Sequence, residues 1–176
     1  MTKIKENKIN INGILDIAKK IMEKDKNGLI PTLFLETDKG IGIAPLIGLD
    51  PDNKRQMFKI VGKKMKEDGF NVYNIASVME TWFVKQKKKK GESKEDLENK
   101  LNEFYKKHKT LAKHPDKKEA IVVASYDDKG NKKIVMIEFK KKGIINKKII
   151  WGKLTKMNNN KSEMSLLKKF WNGYYF

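Results

Sequence analysis

A cysteine-free chain of 176 residues can bury roughly 70% of its unfolded surface in one core, and it excludes disulfide frameworks, zinc ribbons and thiol chemistry. The net charge of +18 points towards a polyanionic partner. No apolar run approaches the ~20 residues that cross a bilayer, and Met1 to Asn12 has no apolar leader stretch, so a cytoplasmic protein with no membrane partner is expected.

Of the 40 basic residues only Arg55 is arginine, and with 15 Asn and many Ile this skew is what AT-rich codons produce. The bidentate contacts by which arginine reads guanine are thus nearly absent, and the expected targets are a nucleic-acid backbone or an acidic protein surface.

In chain order, Asn12 is expected to cap a helix with an apolar stripe of Ile14, Leu15, Ile17, Ala18, Ile21 and Met22, stopped by Asn27-Gly28. Leu29 to Thr37 and the "IGIAPLIGL" segment after Gly40 read as a hairpin, held towards a sheet edge by Pro31 and Pro45. Asp50-Pro51 starts a second helix reaching about Asp68, with Met57, Phe58, Val61 and Met65 inward. Phe70 to Val84 is a long apolar strand suited to a central position.

A lysine run follows. Ser93 and Asp96 form a capping box for a helix with a buried stripe of Leu97, Leu101, Phe104 and Tyr105. Three strands come next, "AIVVASY", "KKIVMIEFK" and "IINKKIIW", turned at Lys129-Gly130 and at Lys142-Gly143. Lys153 to Lys161 reads as a polar linker, and Glu163 to Trp171 as a short helix before the ending "NGYYF".

This predicts an α+β fold, a single mixed, mostly antiparallel sheet with flanking helices in the order αββαβαβββα. Residues 11–152 would form the domain, and 153–176 the linker with its aromatic helix and tail.

No phosphate-cradling glycine loop, nucleophile elbow, HExxH or EF-hand loop is present. His108 and His114 lie across a helix end without a shared face, so no metal site is assigned to them. Four features remain.

The run Lys85, Lys87, Lys88, Lys89 and Lys90, with Lys140, Lys141 and Lys142 on the later strands, is either a polyanion-binding surface or a solvated loop and strand face enriched by codon usage. The second feature is the hairpin Glu119 to Lys140. A two-residue closure at Lys129-Gly130 sets Ile121 opposite Glu138 and Glu119 opposite Lys140, so Glu119, Glu138 and Lys140 share a face. With Pro115-Asp116 this has the form of the PD-(D/E)xK nuclease signature, in which carboxylates hold Mg²⁺ or Mn²⁺ and a lysine serves the attacking water. The bland alternative is a Glu119–Lys140 cross-strand ion pair and no cofactor.

Third, Glu80 and Trp82 point to one side of a strand end, where they could gather with Asp116 and Glu119 over the indole as a structural junction or a ligand pocket. Glu80, Trp82, Pro115, Asp116, Lys117, Glu119 and Ala120 carry a resemblance to a family of small uncharacterised proteins from prokaryotes and phages. In that family a central strand ends in Glu-x-Trp and the next is preceded by Pro-Asp-basic-x-Glu-Ala. The resemblance spans about Leu29 to Tyr126 and implies architecture, with no established activity. Fourth, Phe170, Trp171, Tyr174, Tyr175 and Phe176 either dock on the sheet or form a contact for a partner or a second copy, as in a phage or mobile-element accessory protein.

Overall fold

The apolar strand patterns become neighbours in one six-stranded antiparallel sheet of order β2-β1-β3-β4-β5-β6. The chain runs α1 (Ile11–Lys24), β1 (Thr32–Thr37), β2 (Gly40–Pro45), α2 (Lys54–Glu67), β3 (Val72–Val84), α3 (Lys94–His108), β4 (Lys117–Asp127), β5 (Lys132–Lys142), β6 (Lys148–Lys156) and α4 (Lys161–Tyr175), an α+β fold. This computed structural model describes residues 8–25, 28–50, 53–85, 91–142, 148–157 and 161–176. Asn27, Pro51, the run 87–90 and the segment 143–147, which held an expected turn and strand start, lie outside the described residues.

Two apolar layers cover the sheet. On one face α2 and α4 bury Phe58, Leu166, Leu167, Phe170 and Trp171 against Leu33, Ile75, Met79, Val122 and Met136. On the other, Leu15, Ala18 and Met22 of α1 cover Val78, Ile121, Val123 and Ile137. Burial on both sides explains why β3 and β4 read as nearly continuous apolar runs.

Local chemistry places most helix starts. Asn10, rather than Asn12, caps α1, its Oδ1 accepting from the amides of Asn12 (3.1 Å) and Gly13 (3.3 Å). Asp50 and Asn53 exchange side-chain-to-amide hydrogen bonds of 2.8 and 3.0 Å before α2. The Ser93–Asp96 box forms as expected, and the Ser93 hydroxyl draws the Asp96 carboxyl below its usual range.

Three further expectations change, all in the strands. β1 begins at Thr32, not Leu29, because the Leu29 amide is taken by the Glu80 carboxylate. β6 continues through Lys156, across the first four residues of the segment read as a linker. The third change sets the site. Asp127 and Asn131 close a three-residue loop over 128–130, with Gly130 at φ +86°, instead of a two-residue turn at Lys129-Gly130. Asp127 anchors that loop by accepting from the amides of Lys129 and Asn131 and from Asn131 Nδ2. Partial burial pushes its carboxyl up, but the hydrogen bonds from Asn131 and Lys129 outweigh this and leave it below its usual range. The extra loop residue shifts the β4–β5 pairing by one position, so Ala120 faces Glu138 and Glu119 faces Phe139. A shift of one residue moves one strand's side chains to the other face.

The C-terminal aromatics dock. Phe170, Trp171 and Tyr174 are buried, Trp171 Nε1 donates to the Tyr126 carbonyl (3.2 Å), and the Tyr174 hydroxyl donates to the Phe70 carbonyl (2.7 Å); Tyr175 and Phe176 stay exposed. α4 meets α2 backbone to backbone through two glycines. A Cβ on Gly62 would fall on the Phe170 carbonyl oxygen, and one on Gly173 would fall on the Lys59 carbonyl oxygen. Gly62→Ala and Gly173→Ala should each force the helices apart and destabilise the fold by about 1–3 kcal/mol or more, read as a lowered urea midpoint. An unchanged midpoint in both variants would refute this account of the α2–α4 contact.

Candidate polyanion-binding groove

β3, β4 and β5 emerge from between the helix layers at one end of the sheet, where their sequences turn from apolar to lysine-rich. Alternation from Ala120 and Met136 puts Lys118, Glu138 and Lys140 on the α2–α4 face, with Lys85 beyond Phe83 on the same side. α3 borders this end. Its apolar stripe, expected to be buried, is not: Leu97, Leu101 and Phe104 are half-buried and Tyr105 is exposed. These α3 side chains and the strand ends enclose a groove of about 700 Å³, lined by Lys85, Lys100, Lys117, Lys118 and Lys140 together with Leu97, Leu101 and Phe104.

Carboxylates fix several of these cations. Glu138 pairs with Lys85 and, at 3.7 Å, with Lys118. Glu92 holds Lys100 at 2.5 Å, and its hydrogen bond keeps that ammonium above its ordinary range. Lys117 Nζ donates to the Ala112 carbonyl. At the end of α3, the rings of His108 and His114 both lie against Phe104, with centroids 4.3 and 4.7 Å away. The two histidines expected to have no shared face thus meet on one ring, and His114 Nδ1 accepts from the Asp116 amide (3.1 Å).

The structure divides the carboxylates grouped from sequence. Glu80, Trp82 and Glu119 belong to the α1 face, with Trp82 opposite Glu119 in the register. Glu138 and Lys140 lie on the opposite face, so Glu119, Glu138 and Lys140 do not converge and the Glu119–Lys140 cross-strand pair does not exist. Asp116 lines the lysine groove with Lys140, yet it precedes Ala120, the register partner of Glu138, by four positions. Among the described residues no group of three or more His, Asp or Glu could hold a metal ion. Lys141 points away from Lys140, over the Phe139 ring and 3.8 Å from Glu80. Lys142 pairs in register with Lys148, and 87–90 lie outside the described residues. Lys100 and Lys118 were not singled out from sequence, and Lys117 entered only through the family resemblance. Alternation backwards from Ala120 would have placed Lys118 on the groove face, but only once the register was known.

Glu80 works as a junction. Its Oε1 accepts the Leu29 amide at 2.6 Å, tying the α1–β1 connection to the centre of the sheet, and Lys141 neutralises it. Glu80→Gln retains an acceptor and should cost under about 1 kcal/mol, whereas Glu80→Met leaves the Leu29 amide unpaired and should cost about 1–3 kcal/mol in urea unfolding. Equal stability of the two variants would refute this role.

No protein-family model, curated protein or solved structure matches this chain, so the chemistry of the groove rests on its own geometry.

Proposed function

We propose that this protein is a cytoplasmic binding protein whose groove between α3 and the ends of β3, β4 and β5 holds the phosphate backbone of a nucleic acid. The observation that carries the reading is the gathering of Lys85, Lys100, Lys117, Lys118 and Lys140 around one concave surface. Each lysine that neutralises a phosphate releases condensed counterions, so affinity comes from the backbone and is strongly salt-dependent. With a single arginine in the chain, base-edge readout is poorly supported, and binding should depend little on sequence. The half-buried Leu97, Leu101 and Phe104 add an apolar wall that sugars and bases can contact.

The test is fluorescence anisotropy with DNA and RNA oligonucleotides of unrelated sequence across a salt series. The logarithm of the binding constant should fall linearly with that of salt, and Lys140→Gln should lower the slope by about 0.7–0.9 without altering the circular dichroism spectrum. Absence of binding to either nucleic acid at low salt, or an unchanged slope in Lys140→Gln and Lys118→Gln alike, would overturn the proposal.

A further inference from the structure

β3 outruns its neighbour. Its pairing with β1 ends at Thr32 opposite Val78, while its pairing with β4 continues to Val84 opposite Lys117. From Met79 to Val84 this central strand therefore has a partner strand on one side only. Among the described residues, no backbone hydrogen bond outside the sheet ladders reaches that stretch. β1 is prevented from extending along it for local reasons. Pro31 has no amide to donate, its carbonyl accepts the Leu46 amide on the β2 side (2.7 Å), and the Leu29 amide is diverted to the Glu80 side chain.

The gap beside this edge is a second groove, of about 570 Å³. Trp82 and Tyr105, 41% and 44% exposed, both line it. The turn after α3 closes the far side and is set by Lys109, the one non-glycine residue with positive φ (57°) among those described. Two carboxylates line the groove, and both are engaged within the fold: Asp50 accepts the Asn53 amide, and Glu80 binds Leu29 and Lys141. With Glu80 balanced by Lys141, the two ammonium groups of Lys54 and Lys109 exceed the one remaining carboxylate, Asp50.

We propose that this notch accepts an extended, acidic peptide segment of a partner protein as an added strand along Met79–Val84. Alternating amides and carbonyls of the peptide complete the open ladder, an apolar side chain packs between Trp82 and Tyr105, and flanking carboxylates meet Lys54 and Lys109. Strand addition of this kind draws affinity from main-chain hydrogen bonds and specificity from alternate side chains. A nucleic-acid backbone has no alternating donors and acceptors to match the edge. The net charge of +18 favours an acidic segment over a basic one. This inference rests on the unpaired edge and stands apart from the lysine groove.

The experiment uses the full chain and a library of peptides about six residues long that alternate apolar residues with Asp or Glu. Hydrogen exchange of the free protein should show the outward-pointing amides of 79–84 exchanging far faster than their neighbours that bond to β4. A selected peptide should slow those amides, and its N-methylated version should fail to bind. Trp82→Ala should weaken the peptide about tenfold or more, with Trp82→Phe largely retaining it; Lys109→Glu supplies an independent loss that leaves the core untouched. Uniform protection of 79–84 in the free protein, no binding from the library, or protection of these amides by an oligonucleotide but by no peptide would each overturn the proposal. Loss of oligonucleotide binding in the salt series, by contrast, bears only on the lysine groove.

Discussion

The pairing of β3 with β4 organises everything else in the molecule. From Asn74 opposite Asp127 to Val84 opposite Lys117, the two strands present one set of side chains to α2 and α4 and the alternate set to α1. Where both layers exclude water, as far as Val78 of β3, each backbone amide and carbonyl needs a partner in the protein, and antiparallel pairing with β1 and β4 supplies one. The helices have little independent hold on one another apart from the glycine contact between α2 and α4. The two apolar layers converge through the strands that separate them.

That central pair also dictates where charge goes. A chain with 40 basic residues cannot place them in either layer, so they collect where the strands leave the core. β3, β4 and β5 leave it at the same end, and Lys85, Lys118 and Lys140 meet there on one face. Glu138 sits between Lys85 and Lys118, which lets like charges approach without full repulsion. Composition sets how many cations the chain carries; strand length and register explain why several line one groove. The same inequality of strand lengths, this time between β1 and β3, leaves the open edge beside Trp82.

Register separates the two polar sites. Glu80 and Glu138 lie on neighbouring parts of the sheet yet face opposite layers, Glu80 serving the α1–β1 connection and Glu138 the lysine groove. The determinant is small. Gly130 in the left-handed region and the Asp127 side chain together stabilise a loop one residue longer than a tight two-residue turn. That residue turns Glu119 away from Glu138, and with it the arrangement that a metal-dependent nuclease would need.

Element type, order and fold class were legible in the sequence, because apolar periodicity, the Ser93–Asp96 box and Gly or Pro punctuation are local signals that the backbone obeys locally. Docking of Phe170 and Trp171 could likewise be read from their helical spacing with Met164 and Leu167, whereas Tyr174 lay beyond the expected end of that helix. What sequence could not decide was anything fixed by a partner distant along the chain. The half-exposed stripe of α3 has the same pattern as a buried one, and only its position at the rim of the sheet leaves it open. The strand through Lys156 looks like a linker until β5 supplies hydrogen bonds. The basic charge that first suggested a polyanion partner is written in composition alone. Its concentration at one groove belongs to tertiary structure, since side chains share a face only after register and strand ends are set.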